Sequence, residues 1–570
     1  MPENIRIPIG EENFELLRKR KCYYIDKTKL IRELLEENFK VSLFTRPRRF
    51  GKTLNMSMLE AFFDIRRDSR EIFAGLEIME REELCAEWMN QSPVLSISFK
   101  DVANDNFEDS YEQLQFELSS LCIEHTYLLD SEKADLEDQA CFARLKAGKA
   151  SETEVRNSLF ILTRMLHAYY EKPVILLIDE YDVPLAKASE HGYYSQMLNV
   201  IRTVMSKSLK SNPFLQFAVI TGCLRVAKES IFTGVNHFKS NSISGNRFLD
   251  CFGFTELEVV RMLQDAGLTS RLSSVRQWYN GYHFGKQDVY CPWDVSNFVS
   301  DVRLAPDLAP ENYWKDTSHN SIIRQFIGRD GLDVNEKLEK LLSGGSIRTR
   351  LTEDSTYDLE HAGEIDFWSI LYFTGYLTID REDADCRDGE VSLRIPNEEV
   401  RTIFGDTIVV WFGETIGIRA AERSEMFGAW WSGDENAVTD AVSFILNDTI
   451  SYYDYREDYY HAFVAGLFSG AGYLVTSNDE NGLGRPDVVV KDRKTRKVII
   501  IEAKHSDSEA DMEADCQKAL RQADLQQYAS RYLNGYKTIQ CYGAAFFQKK
   551  CLIRKVTLPG LGKGSLFEIE

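Results

Sequence analysis

Apolar residues follow two rhythms along this chain. Short runs that are almost wholly apolar stand at Val41-Ser42-Leu43-Phe44, at Pro93 to Phe99, at Val174 to Ile178, at Phe217 to Ile220 and at Val498 to Ile501. Runs of this length, bounded by charged or turn-forming residues, predict buried strands. Helical patterning lies between them: a charged helix around Leu30 to Asn38, another from Lys52 to about Phe63, and a long acidic helical region over roughly 104–170. Strands that alternate with helices predict an α/β domain with a mostly parallel sheet. From about 255 to 300 the chain turns helical and aromatic, through Trp278-Tyr279-Asn280-Gly281-Tyr282 and Pro292-Trp293. Residues 305–450 read as helices plus a small sheet. In that stretch Phe367 to Tyr372, Gly375-Tyr376-Leu377 and Val391 to Ile395 could supply the helix, turn and wing of a winged helix. The last segment reads helix, strand hairpin, helix, strand. With neither repeats nor a low-complexity linker, the pattern divides the chain into an N-terminal domain over 1–300, a helical lid or winged-helix region over 301–450, and a C-terminal α/β domain over 451–570.

At 570 residues the chain is too long for one core. Its longest apolar runs are far too short to cross a bilayer, and its N-terminus lacks a basic region followed by an apolar core. The 11 cysteines form no CxxC pair and no zinc spacing, which predicts reduced, mostly buried thiols in a cytoplasmic protein. A net charge of −21 argues against a protein that coats DNA generally and leaves room only for a local basic groove.

The strongest chemical signal is in the C-terminal hairpin. Gly484-Arg485-Pro486-Asp487-Val488-Val489-Val490 leads through a charged turn to Lys497-Val498-Ile499-Ile500-Ile501-Glu502-Ala503-Lys504. Strands alternate faces, so Glu502 and Lys504 point one way and Ala503 the other. Buried charges at a strand end are costly unless paired. Asp487 and Glu502, with the Ala503 carbonyl, form an oxygen set suited to Mg²⁺. A metal held there would acidify a bound water and stabilise charge on a scissile phosphate, with Lys504 orienting the water. Glu480, just upstream, is a possible further ligand, and Glu457 a more distant one. The plainer alternative is a solvent-facing hairpin with chance charges.

A second signal lies between a strand and a helix, at Arg46-Pro47-Arg48-Arg49-Phe50-Gly51-Lys52-Thr53. A P-loop cradles phosphates with backbone N–H groups and a helix N-terminus. Its lysine reaches the β- and γ-phosphates and its Ser/Thr hydroxyl meets Mg²⁺. Gly51, Lys52 and Thr53 fit that pattern. Arg46 stands where the first glycine belongs, and Pro47 lacks an N–H. A basic surface loop capping a helix is the alternative. The run 174–178 ends in Asp179-Glu180, where Asp179 could hold the Mg²⁺ shell and Glu180 could polarise the attacking water. Thr221 ends the 217–220 strand, where a polar side chain can sense the γ-phosphate. Arg225 and Lys228 could neutralise transition-state charge, from their own or a neighbouring subunit, or could be surface cations.

Together the segments 46–53, Ile178-Asp179-Glu180-Tyr181-Asp182-Val183-Pro184-Leu185, 221–232 and 278–285 resemble the bacterial AAA-ATPase-like family, which pairs this ATPase with a C-terminal PD-(D/E)XK nuclease-superfamily domain. The resemblance covers nearly the whole chain. It implies that Arg46, Arg48, Arg49, Phe50, Gly51, Lys52 and Thr53 form the family's usual variant of the P-loop. It also implies a restriction-endonuclease-like core, in which Gln522 and Tyr528 match positions that orient the water or the DNA. A solvated helix face is the plainer reading of Gln522. The expectation is an ATP- and Mg²⁺-dependent ATPase joined to a nuclease acting on nucleic acid, DNA before RNA. Such ATPases often assemble as homo-oligomers, and defence or mobile-DNA processing would fit. The alternative is an ATP-gated sensor or scaffold whose nuclease-like domain binds nucleic acid or protein without cutting.

Overall fold

Five strands, β1 (Val41–Thr45), β2 (Val94–Ser98), β3 (Val174–Asp179), β4 (Leu215–Gly222) and β5 (Phe238–Asn241), form a parallel sheet in the order β2-β3-β4-β1-β5. The computed structural model describes residues 5–226, 231–232, 238–314, 335–342, 344–354, 357–358, 362–381, 389–404, 424–449, 460, 463–465, 467–468, 473–477, 486–492, 495–525, 528–532 and 536–559. Every residue of β1 and β3 is buried, so both faces of the sheet are covered, as unbroken apolar runs require. The register sets Thr45 beside Gly222, Phe44 beside Thr221 and Ile178 beside Ile220. The loop after β1, the acids after β3 and the tip of β4 therefore share one edge, the usual crevice of open α/β sheets.

Helix α1 (Lys52–Phe63) follows β1 directly, entered through Gly51 at φ 80°, a left-handed conformation that glycine adopts without strain. The acidic region resolves into helices Phe107–Glu124, Leu136–Lys146 and Glu152–Tyr170. Each starts at a capping side chain, Asn106, Asp135 and Ser151, the last in a capping box with Glu154.

The chain divides into two compact units, Met1–Ser318 with Arg348–Val400, and His319–Ile347 with Arg401–Glu570. The first unit takes in residues well beyond 300. It has a second apolar core around Val259, Met262, Tyr279 and Phe298. Helix α2 (Glu364–Phe373) is buried from Asp366 onward, as a helix apolar on all sides must be. Thr378–Ile379 pairs antiparallel with Val391–Arg394 after it. At the turn between α2 and Thr378, Gly375 has φ 91°, and a Cβ there would lie 2.9 Å from the Pro47 Cβ. This close approach sets the segment against the loop after β1.

The second unit carries a mixed sheet of β6 (Leu474–Ser477), β7 (Val488–Asp492), β8 (Lys497–His505), β9 (Thr538–Phe547) and β10 (Lys550–Pro559), in sequence order. β7 and β8 form the expected hairpin, while β8 and β9 run parallel, joined through helix α3 (Met512–Leu525). β10 pairs antiparallel with β9, a strand beyond the last one the sequence pattern predicts. Helices Ser424–Ser432 and Glu435–Thr449 also belong to this unit, where the Tyr542 hydroxyl donates to the Trp430 carbonyl at 2.6 Å. The described cysteines are free thiols. Among the described residues no helix is long and apolar enough to cross a membrane.

Candidate functional site

Lys52, at the first position of α1, is 4% exposed. Its Nζ donates to the carbonyl oxygens of Arg46 (3.2 Å) and Pro47 (3.0 Å) and lies 3.8 Å from Cys223 Sγ. The lysine thus points back along its own loop toward the tip of β4, the direction a P-loop lysine takes toward phosphate oxygens. Asp179 ends β3, and the Thr221 hydroxyl of β4 donates to its Oδ1. Asp179 Oδ2 is buried without a hydrogen-bond partner among the described residues. A buried carboxylate oxygen left in that state is costly, and a hydrated Mg²⁺ suits its hard-oxygen character. Thr53 follows Lys52 on α1.

Glu180 sits beyond the strand tip in a left-handed conformation, φ 52°. Its N–H points to the Thr221 hydroxyl at 3.4 Å. Burial raises its carboxyl above the ordinary range, with Lys52 pulling down and Asp179 and Asp182 pushing up. A half-buried acid whose proton affinity is raised is a better general base than a solvated one.

In the second unit the β7–β8 register places Val488 opposite Ile501, which sets Asp487 and Glu502 side by side at the hairpin's open end. The Ala503 N–H donates to Asp487 Oδ2 at 2.8 Å, and Lys504 Nζ donates to Glu502 Oε1 at 3.3 Å. Glu502 is 1% exposed, and its Oε2 has no hydrogen-bond partner among the described residues. Burial first, then the Asp487 charge, holds its carboxyl well above the ordinary range against the pull of Lys504. Two neighbouring carboxylates, one with a bare buried oxygen, are what a divalent cation would relieve.

The same sheet face brings in α3. Tyr528 is buried with Val489, Ile500 and Leu520, and Gln522 Nε2 reaches its hydroxyl at 3.5 Å. Burial raises the Tyr528 phenol, and Glu502 and Asp487 add to it, so the hydroxyl lies within electrostatic reach of the acid pair. Gly543 pairs with Glu502 on β9, and a Cβ there would meet the Cys516 carbonyl at 2.4 Å. Only glycine lets α3 lie this close to the acids. Glu480 and Glu457 fall outside the described residues.

Residues 8–232 match the family model described as "Predicted AAA-ATPase". Residues 455–556 match the PD-(D/E)XK nuclease superfamily. The chain joins an AAA-ATPase-like domain to a PD-(D/E)XK-superfamily domain. A relative from Azotobacter chroococcum mcd 1, described as an uncharacterized protein in the vnfD 5' region, is 23% identical over 496 residues. The match covers 85% of this chain and 87% of that protein.

In the AAA-ATPase-like domain the four candidate arginines separate by environment. The Arg46 side chain does not face the loop mouth, as a phosphate ligand would. It is fully buried, donating to the carbonyls of Thr45 (2.9 Å), Asn241 (2.6 Å) and Phe248 (3.1 Å) between the rings of Phe252 and Phe284. Arg49 also turns away, lying 4.2 Å over the Trp293 ring and donating to the Tyr313 carbonyl at 2.7 Å. Phe50 packs on Tyr282 and Phe284. Those three side chains pack into the fold around the loop, which leaves Arg48, Gly51, Lys52 and Thr53 as its candidates for phosphate contact. Arg48 is half-buried within electrostatic reach of Cys223, Tyr357, Glu180 and Asp182. Arg225 lies 3.9 Å from Glu353 and 3.8 Å from Asp354. Lys228 falls outside the described residues.

Two features of this domain escape sequence reading. Asp182 is buried and accepts from the N–H groups of Cys223 and Leu224 and from the Tyr357 hydroxyl, each at 2.9 Å. Asp294 and Glu399, both buried, lie within hydrogen-bonding reach of each other behind Arg49. The Asp-Val-Pro-Leu motif at 182–185 hinted at the first. Nothing local marks the second.

Proposed function

We propose that this protein binds and hydrolyses ATP at the β1–α1 loop, and that its C-terminal domain is a Mg²⁺-dependent nuclease acting on nucleic acid, with DNA the substrate of choice. The observation that carries the reading is the pair of orphaned buried oxygens: Asp179 Oδ2, next to a Glu180 that feels the Lys52 charge, and Glu502 Oε2, whose partner oxygen accepts from Lys504.

At the ATPase site, Lys52 and the N–H groups opening α1 hold the phosphates, and Thr53 and Asp179 hold Mg²⁺. Glu180 takes the proton of the attacking water, and Thr221 keeps Asp179 and Glu180 in register. At the nuclease site, Asp487, Glu502 and the Ala503 carbonyl hold the metal. When bound, that metal supplies an acidified water and charge stabilisation at the scissile phosphate. Lys504 orients the water, while Gln522 and Tyr528 close one side of the site. Defence against foreign DNA or the processing of mobile DNA is the setting such a pairing would serve.

The reading is tested with purified full-length protein and two assays. ATP turnover should vanish in Lys52→Ala, and Glu180→Gln should bind ATP without hydrolysing it. Mg²⁺-dependent DNA cleavage should vanish in Asp487→Ala while ATP turnover persists. Unchanged hydrolysis in Lys52→Ala rejects the first half. A wild type that cuts neither DNA nor RNA rejects the second and leaves a binding-only domain.

A further inference from the structure

The acid turn after β3 and the turn after β4 are stitched together by an unusual density of hydrogen bonds. The Tyr181 N–H donates to the Thr221 carbonyl at 3.1 Å. The Tyr181 hydroxyl donates to the Leu224 carbonyl at 2.7 Å and accepts from the Val226 N–H at 2.9 Å. Asp182 Oδ2 collects the N–H groups of Cys223 and Leu224. Gly222 makes this closeness possible, because a Cβ there would lie 2.6 Å from Asp182 Oδ1 and 2.7 Å from the Tyr181 ring. Both turns carry the groups assigned to ATP hydrolysis: Asp179 and Glu180 on one, Thr221 on the other.

A further donor to this seam comes from far along the chain. Tyr357 is buried, and its hydroxyl donates to Asp182 Oδ2 at 2.9 Å. The segment that carries it is anchored close by. Glu353 Oε1 accepts from the hydroxyls of Ser242 and Ser244 at 2.6 Å each, just after β5. Gly375 abuts Pro47 of the P-loop itself. Glu353, Tyr357 and Gly375 lie outside the stretch 8–232 that matches the ATPase family, yet they form part of the wall of its site.

We propose that Tyr357 is a positioning residue for ATP hydrolysis, acting through Asp182 to hold the Glu180 turn against the Thr221 turn. The inference rests on the ATPase reading of this site. A carboxylate oxygen that accepts two backbone N–H groups is oriented by them. A third donor on the same oxygen fixes it against rotation and shields it from water. Burial keeps the phenol protonated, so the donor is present throughout the working pH range. The residue acts at a distance from the reacting atoms, and its effect belongs in turnover rather than in binding.

The experiment is a double-mutant cycle on the full-length protein, with Tyr357→Phe, Asp182→Asn and the pair, read as kcat and KM for ATP beside thermal unfolding. Tyr357→Phe keeps the ring and removes only the donor. It should lower kcat about tenfold, the scale of one hydrogen bond to a charged group, with KM and the unfolding temperature near wild type. The double variant should be no slower than the slower single one. A Tyr357→Phe protein with wild-type kcat overturns the proposal, whether or not its unfolding temperature drops. Fully additive losses overturn it too. Lys52→Ala is run alongside: if it hydrolyses ATP normally, the ATPase reading itself has failed, whereas a dead Lys52→Ala with an unaffected Tyr357→Phe rejects only the positioning role.

Discussion

Thr221 donates its hydroxyl hydrogen to Asp179 Oδ1, tying the tip of β4 to the tip of β3. The same oxygen of Thr221 faces the Glu180 N–H. One side chain therefore sets both acids of the proposed ATPase site. Thr221→Val keeps the shape and removes the hydroxyl. It should lower ATP turnover about 10- to 100-fold, as expected for losing a hydrogen bond to a charged group. ATP affinity should change little. Steady-state turnover with equilibrium nucleotide binding on the same preparation checks both.

Arg46 carries a structural load that its place in the phosphate loop conceals. Its guanidinium serves three backbone carbonyls across β1, β5 and the segment near Phe248. Burial pushes its pKa down to about 10, so it stays charged at neutral pH. Arg46→Ala would strand those acceptors and open a cavity, costing about 3 kcal/mol of stability. Arg46→Lys should recover only part, because an ammonium cannot span three carbonyls in a plane. Chemical denaturation of the variants is the measurement, with loss of stability preceding any specific loss of ATP affinity.

The Asp294–Glu399 pair makes a pH prediction. Glu399 Oε1 accepts from the N–H groups of Tyr313 (2.7 Å) and Trp314 (3.1 Å). Beyond each other, the remaining carboxyl oxygens of the pair have only the Cys291 thiol, beside Asp294, as a neighbouring polar group that could bond them among the described residues. Two buried carboxyls in this state share a proton, and burial raises both, Glu399 to about 10. The folded state holds a proton that the unfolded chain has released. The stabilisation is therefore complete below the ordinary carboxyl range and is lost as pH rises through the raised folded values. The unfolding temperature of the wild type should fall between pH 6 and pH 10. Glu399→Gln, which keeps the Oε1 acceptor and supplies a permanent donor to Asp294, should flatten that slope.

These three sites differ in how far the sequence reveals them. The strands of both sheets that are buried on two faces stand out as apolar runs, and β1, β3, β4 and the β7–β8 hairpin lie where those runs predict. β10 does not, because Arg554 and Lys555 interrupt a strand in which Cys551 and Ile553 are buried among the described residues. The acids of both sites are legible because each adjoins an apolar run, Asp179 and Glu502 after one and Asp487 before one, where a charge must have a reason. The direction of a side chain is not legible: Arg46, Arg48 and Arg49 are alike in sequence, yet only Arg48 faces the acid turn. Contacts between distant segments, such as Tyr357 with Asp182 or Glu399 with Asp294, leave no periodicity to read.

The central claim joins a working ATPase to a working nuclease, and its more exposed half is the cleavage. The most direct measurement incubates the full-length protein and Asp487→Ala with linear and circular DNA and with RNA, in Mg²⁺ or Mn²⁺, with and without ATP. The account predicts metal-dependent breakage by the wild type and none by Asp487→Ala, with ATP hydrolysis equal in the two. Intact nucleic acid under every condition, from a wild type that hydrolyses ATP, would contradict it.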